Sequence, residues 1–286
     1  MLPNGTKTHL KLLRWQARRA QAMLRWGAGE LARMPIVIGN SMPKSGSHLI
    51  IQILEGLPQI GPFVNPGMPP LNRNEKNAIQ PQQVILRKIQ RLAPGDFTYC
   101  YLEATEAYLS ALTKPGIAPI FVYRDPRDMI VSHVFYATEM HQGHQMHRYY
   151  TEVLKTMEER INAAIFGVDE KDSPLSSIAL KYSRYAGWLD QPAVLSLRFE
   201  DLILEKERAI GQILDHLAGH GFVSKASRPE SLEALTRSIE PKRSGTFRKG
   251  QPGNWREHFT EVNKKNFKDQ TGDLLQRLGY EMDQDW

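Results

Sequence analysis

The chain has 286 residues, 41% of them hydrophobic, enough for one large α/β domain or two small ones, so disorder is not expected. The single cysteine, Cys100, excludes an internal disulfide framework, and no Cys/His grouping has zinc spacing, so a reducing, cytoplasmic setting is expected. The net charge of +6 sits in residues 1–34, where Lys7, Lys11, Arg14, Arg18, Arg19, Arg25 and Arg33 face only Glu30; the neutral remainder offers no surface for nucleic acid.

Residues 1–34 read as a basic, partly amphipathic helical extension, with good helix formers and no internal proline between His9 and Met34. Their longest apolar run is too short for a signal peptide or a membrane span. Two readings stay open: a helix packed on the domain with its arginines solvated, or a contact surface for a partner protein or an anionic membrane. Residues 35–286 are expected to form a single domain.

The run MPIVIGNSM at 34–42 predicts a buried strand, and apolar positions 49, 50, 53, 54 and 57 predict a helix from Ser47 to Leu57. Residues 58–75 are dense in proline and glycine and predict a long loop, a candidate substrate wall. A helix near 81–92 precedes FTYCYLEA at 97–104, read as a second strand. Helical EAYLSALTK then leads to PIFVYRD as a third strand. A helix over PRDMIVSHVFYATEM, a fourth strand in AVLSLRFED and a helix over 205–219 complete an open parallel sheet flanked by helices. Ligands of such sheets sit at the carboxyl ends of the strands, where the break after Ser41, Glu103, Arg124 and Phe199 all fall.

The break itself, MPKSGSHLI, leaves a strand and opens a helix. Gly46 permits close approach, backbone N–H groups are left over at the helix start, and Lys44 adds positive charge, so the loop is an anion cradle. It is not a Walker A loop: counted from Gly39, Lys44 takes the second glycine's place, Ser45 the lysine's, and Gly46 that of the magnesium-binding hydroxyl.

PKSGSHL closely resembles the 5′-phosphosulfate loop, PKSGTTW, of the sulfotransferases that use 3′-phosphoadenosine 5′-phosphosulfate (PAPS). VYRDPRDMIVSHVFY resembles that family's 3′-phosphate element, an arginine followed eight residues later by a serine, here Arg124 and Ser132. FRKGQPGNWREHFT resembles its RKGxxGDWKxxFT element, with Arg248, Lys249 and Gly250 in place and Asn254 where the family has aspartate. The three occur in the family's order across residues 43–260. The resemblance implies a P-loop-like α/β fold with a central parallel sheet and PAPS-dependent sulfuryl transfer to a hydroxyl, less readily an amine, of a small organic or carrier-bound acceptor. No metal is implied.

On that resemblance, Lys44 with residues Ser45, Gly46, Ser47, His48 and Leu49 holds the phosphosulfate end. Arg124, Ser132, Phe247, Arg248, Lys249 and Gly250 hold the 3′-phosphate end, and Phe199 stands for the tyrosine of the family's YED motif beside adenine. Lys44 is the expected donor to the bridging oxygen of the departing nucleotide, with Ser132 restraining its ammonium until transfer. The expected acceptor wall includes Tyr101, Phe135, Tyr136, His141 and His144.

The base is where the chain departs from the family. Many members place a histidine 23 residues before the 3′-phosphate arginine, and here that position is Tyr101. A tyrosine, with an ordinary pKa of about 10, is a poor base at neutral pH. Glu103 shares the face of Tyr101 if the strand persists, and a desolvated glutamate can serve; equally, it can cap or pair with the following helix. His48, inside the loop, is a further catalytic candidate. The triplet His141, His144 and His147 has no carboxylate pattern and is read as a lid or acceptor wall rather than a metal site. Two other readings stay open: a nucleotide-binding protein of the same fold that lost catalysis, and a P-loop kinase.

Overall fold

The protein is described by a computed structural model for residues 4–240 and 251–286, with side chains from residue 9 onward. In chain order its main elements are α1 (Asn4–Trp26), α2 (Ala28–Arg33), β1 (Ile36–Ser41), α3 (Ser47–Gly56), α4 (Gln82–Gln90), β2 (Phe97–Cys100), α5 (Glu106–Leu112), β3 (Ile117–Tyr123) and α6 (Pro126–Phe135). There follow α7 (Met157–Phe166), α8 (Ile178–Ala186), β4 (Leu195–Arg198), α9 (Phe199–Leu204), α10 (Lys206–Gly219), α11 (Arg228–Arg237), α12 (Glu261–Thr271) and α13 (Leu274–Arg277). The described residues divide into two compact units, 4–123 with 187–240 and 124–186 with 251–286.

The first unit holds a sheet of order β2-β1-β3-β4, parallel throughout. Its central strands, IVIGNS and IAPIFVY, lack in/out alternation because helices cover both faces. Val37, Ala118, Ile120 and Val122 pack with Ile53 and Leu57 of the α3 region and with Ile210 and Ile213 of α10 in one core. Complete burial of a side chain of this size contributes about 1.5–3 kcal/mol, so this core fixes where the strands end. The carboxyl ends of β1, β2 and β4 lead directly into residues 42–46, 101–103 and Phe199.

Two expectations change in this unit. The second strand stops at Cys100 rather than running on to Ala104. The arginines of α1 are not simply solvated: Arg18 donates to the Asn65 carbonyl at 2.7 Å, Arg19 to the Pro94 carbonyl and the Asp96 carboxylate at 3.0 Å each, and Arg25 to the Pro58 carbonyl at 3.4 Å. Trp15 Nε1 adds a bond to Asp96 at 3.0 Å, and Lys11 pairs with Glu75. Asp96 is fully buried, so it needs these donors. The loop after α3 runs along the outer edge of β2, where Phe97 N–H donates to the Val64 carbonyl and Leu71 N–H to the Tyr99 carbonyl, both at 3.0 Å. It thereby covers an edge that would otherwise be open.

In the second unit α6 begins where the sequence says, with Asp125 as N-cap accepting from Arg127 N–H at 2.9 Å and Pro126 in the first turn. It ends earlier than expected: from Tyr136 to Met140 the chain winds as a π-turn, a form common at functional sites. Arg127 is 1% exposed, pairs with Asp125 and Glu281, and lies in the corner formed by the perpendicular rings of Trp255 and Trp286, 3.9 and 4.4 Å from their centroids. Capping boxes at Thr156 and Thr260 start α7 and α12, which pack together through Asn263 and Asn162.

Candidate active site

The loop after β1 is shaped by local chemistry. Lys44 stands at φ 70° and Gly46 at φ 94°, both in the left-handed region. A Cβ on Gly46 would lie 2.4 Å from Cδ2 of Phe199, so only glycine fits between the loop and that ring. For Lys44 the conformation costs about 1–2 kcal/mol, a strain held in place by its surroundings. Ser45 turns inward: its N–H donates to the Met42 carbonyl at 3.2 Å, and its buried hydroxyl lies 2.6 Å from that carbonyl and 3.0 Å from the Val122 carbonyl. Gly46 is the N-cap of α3 with no side-chain cap, and the first amide bonded back to it is that of Leu49, at 2.9 Å. The N–H groups of Gly46, Ser47 and His48 are thus the outward donors of a helix start, with Lys44 beside them.

Tyr101 and Phe199 join the candidates of this loop. Burial pushes the Tyr101 phenol above the ordinary range, against the pull of the Ser47 hydroxyl and of Arg73. His48 is exposed at its rim yet has its pKa lowered, by desolvation first and by Lys44 second, so it is neutral at pH 7. Phe199 packs under Gly46 and belongs to the hydrophobic core, as does Leu49, 7% exposed. Leu49 is therefore a packing residue, and so is the Ser45 side chain; in the loop itself their neighbours carry the polar donors.

Past the end of β2 the chain is held by side-chain amides that the sequence reading did not assign. Asn40 Oδ1 accepts from Leu102 N–H at 2.9 Å and its Nδ2 donates to the Leu102 carbonyl at 3.0 Å. Asn72 does the same for Tyr101, at 3.2 and 3.1 Å. Trp188 also donates Nε1 to the Leu102 carbonyl at 2.7 Å. The only sequence signal was an asparagine inside the apolar run VIGNSM, where a buried amide needs partners. Glu103 follows this pair, half-buried, with its carbonyl accepting from Thr105 N–H at 2.9 Å.

In the second unit Arg124 is mostly buried and lies 3.6 Å from the Asp128 carboxylate. Asp128 also accepts from Gly253 N–H at 2.8 Å and Trp255 N–H at 2.9 Å, tying the segment after the RKG element to α6. Its burial raises the carboxyl pKa, while Arg124 lowers it. Ser132 is half-buried on α6. Phe247, Arg248, Lys249 and Gly250 lie outside the described residues.

Three histidines of this unit, His133, His141 and His144, form an aromatic group with Tyr136. His141 stacks on Tyr136 at 5.5 Å, His144 meets it edge-on at 5.7 Å, and His133 packs 5.2 Å from His144 and 5.8 Å from the buried Tyr150. His133 and Tyr150 were not foreseen in this group. Phe135 packs instead on His258 at 5.0 Å. His147 lies 2.8 Å from the Ala137 carbonyl, and among the described residues no group of His, Cys, Asp or Glu could hold a metal ion. No described helix is long and apolar enough to cross a membrane.

The model of the sulfotransferase domain family matches residues 36–279 of this chain. Among solved structures, a mouse sulfotransferase, SULT7A1, complexed with PAP aligns with TM-score 0.59 at 15% identity, over 86% of this chain and 88% of that one. Retinol dehydratase in complex with androsterone and inactive cofactor PAP aligns with TM-score 0.57 at 15% identity, over 86% and 83%. Its complex with retinol and PAP aligns with TM-score 0.53 at 16% identity, over 86% and 84%. At such identities the likeness is one of fold. No sequence among the curated proteins matches.

Proposed function

The chain belongs to the sulfotransferase domain family, and on that footing we propose that it transfers a sulfuryl group from PAPS to a hydroxyl of a small organic or carrier-bound acceptor. The observation that carries this reading is the loop at 42–48: a helix start with outward N–H groups at 46–48, a lysine held in a strained conformation beside them, and no hydroxyl in the magnesium-binding place. That donor set fits a phosphosulfate and does not suit a magnesium nucleotide, which disfavours a kinase. The PAP named with the structural neighbours fits the same donor.

When bound, PAPS supplies an activated sulfuryl group. The N–H groups of residues 46–48 orient its anionic end, and the Lys44 ammonium faces the negative charge that grows on the departing nucleotide. Arg124 and Ser132, with Arg248, Lys249 and Gly250, take the 3′-phosphate by the family resemblance. Tyr101, whose phenol stays protonated, acts as a hydrogen-bond donor beside Ser47 rather than as a base. Glu103 is the base that accepts the acceptor's proton, and His48, neutral, is a second polar contact at the sulfuryl end. Tyr136, His141 and His144 belong to the acceptor wall.

Tyr101 in the place of the family's histidine also supports a second reading, a protein that binds the nucleotide without transferring. Glu103→Gln separates the two. Transfer that falls by about 100-fold with PAP affinity unchanged supports catalysis with Glu103 as base. Wild-type protein that binds PAP and turns over no PAPS supports the binding protein.

A further inference from the structure

We infer that Asn40 and Asn72 are positioning residues of the transfer reaction, which together extend the acceptor-side strand by two residues that the sheet itself does not pair. This rests on the sulfotransferase reading above. The backbone ladder between β1 and β2 ends at Asn40↔Cys100. Beyond it, the Asn40 side-chain amide takes over, bonding both N–H and carbonyl of Leu102, and the Asn72 amide, from the loop on the outer edge, bonds both groups of Tyr101. A residue whose N–H and C=O both reach one planar amide is near-extended, and consecutive extended residues point these groups to opposite sides. The two asparagines therefore grip consecutive residues from the two edges of the same strand.

The grip is braced on all sides. Asn40 and Asn72 are 2% and 6% exposed, so their amides have no water to compete for them. Trp188 Nε1 adds a second donor on the Leu102 carbonyl at 2.7 Å. The Lys88 ammonium bonds the carbonyls of Leu71 and Arg73 at 3.1 and 2.8 Å, fixing the backbone on either side of Asn72. Burial lowers the pKa of Lys88, yet these carbonyls need its N–H donors. The consequence is chemical: extended geometry at 101–102 keeps Tyr101 and Glu103 on one face, beside the loop whose Ser47 hydroxyl acts on the Tyr101 phenol. Neither asparagine touches the reacting atoms; each acts through the residues that do.

The test measures PAP release from PAPS, with 4-nitrophenol as probe acceptor or water where the phenol is not taken, together with PAP affinity by calorimetry. Asn72→Ala is expected to lower kcat by about 100-fold, as a misplacement near 1 Å would, while PAP affinity and KM for PAPS stay within about twofold. In a Glu103→Gln background the same substitution should add less than about threefold, because both changes remove one function. Amide exchange should quicken in the peptide 98–104 and nowhere else. If Asn72→Ala does not fold, Asn72→Ser serves: it keeps a small neutral group that can both donate and accept, and should show a smaller loss of kcat with the same split. An unchanged kcat with PAP binding intact, or a loss that is fully additive with Glu103→Gln, overturns this inference alone. Wild-type protein that does not bind PAP overturns the sulfotransferase reading beneath it.

Discussion

The loop at 42–48 and the segment at 101–103 leave the carboxyl ends of neighbouring parallel strands, and they are held by opposite means. The loop is shaped mainly within seven residues: Gly46 supplies φ 94°, Lys44 takes φ 70°, and the start of α3 supplies the donors, with Val122 and Phe199 as outside contacts. The segment has no such local code. Its conformation depends on Asn40, Asn72 and Trp188, residues 62, 29 and 86 positions from the groups they bind. A turn of this kind can be carried by a short motif, whereas the segment at 101–103 is assembled from remote side chains and can be retuned one at a time.

Breaking the loop should have the largest effect. Lys44→Ala is expected to cost about 100-fold or more in transfer rate, as for the loss of an oxyanion-type donor. Lys44→Gly should lose as much rate yet be more stable than Lys44→Ala by about 1 kcal/mol, because glycine relieves the left-handed strain; chemical denaturation of the two variants checks this. Equal stabilities would mean that the strain at φ 70° is not real.

Gly46→Ala is next. A left-handed alanine whose Cβ must sit 2.4 Å from the Phe199 ring should destabilise the fold by about 2–4 kcal/mol and weaken PAP binding. Adding Phe199→Ala removes the steric part and not the backbone part, so the double variant should lose less than the sum. On the segment, Trp188→Phe keeps the buried ring and deletes the donor to the Leu102 carbonyl, at an expected cost of about 1–3 kcal/mol by thermal unfolding, with PAP affinity unchanged.

The smallest effect concerns His48. Its folded pKa is lowered by desolvation and Lys44, so the unfolded chain takes up the proton first as pH falls. Stability contributed by the neutral imidazole is present above about pH 6.5 and lost as pH falls through the lower folded value. Relative to His48→Gln, the wild type should lose stability between pH 7 and pH 5; a difference that grows in the opposite direction would place a proton on the folded imidazole.

The same contrast explains what could be read from the chain. The four strands, α3 and the turn between β1 and α3 were legible because apolar runs, helical spacing and the Pro-Lys-Ser-Gly break are local patterns. The stop of β2 at Cys100 was not, since it depends on side-chain amides replacing backbone partners. Nor were the π-turn at Tyr136–Met140, where the helical pattern continues unbroken in sequence, or the contact of Arg127 with both Trp255 and Trp286, which joins residues more than a hundred positions apart. The packing of His133 on His144, eleven positions away, was not legible either.

The central claim is that the loop at 42–48 holds the phosphosulfate end of PAPS, and calorimetric titration of the protein with PAP in the absence of magnesium tests it most directly. Saturable one-to-one binding, weakened by about tenfold or more in Lys44→Ala, is the expected result. No heat of binding, or binding seen only with ATP and magnesium, would contradict it.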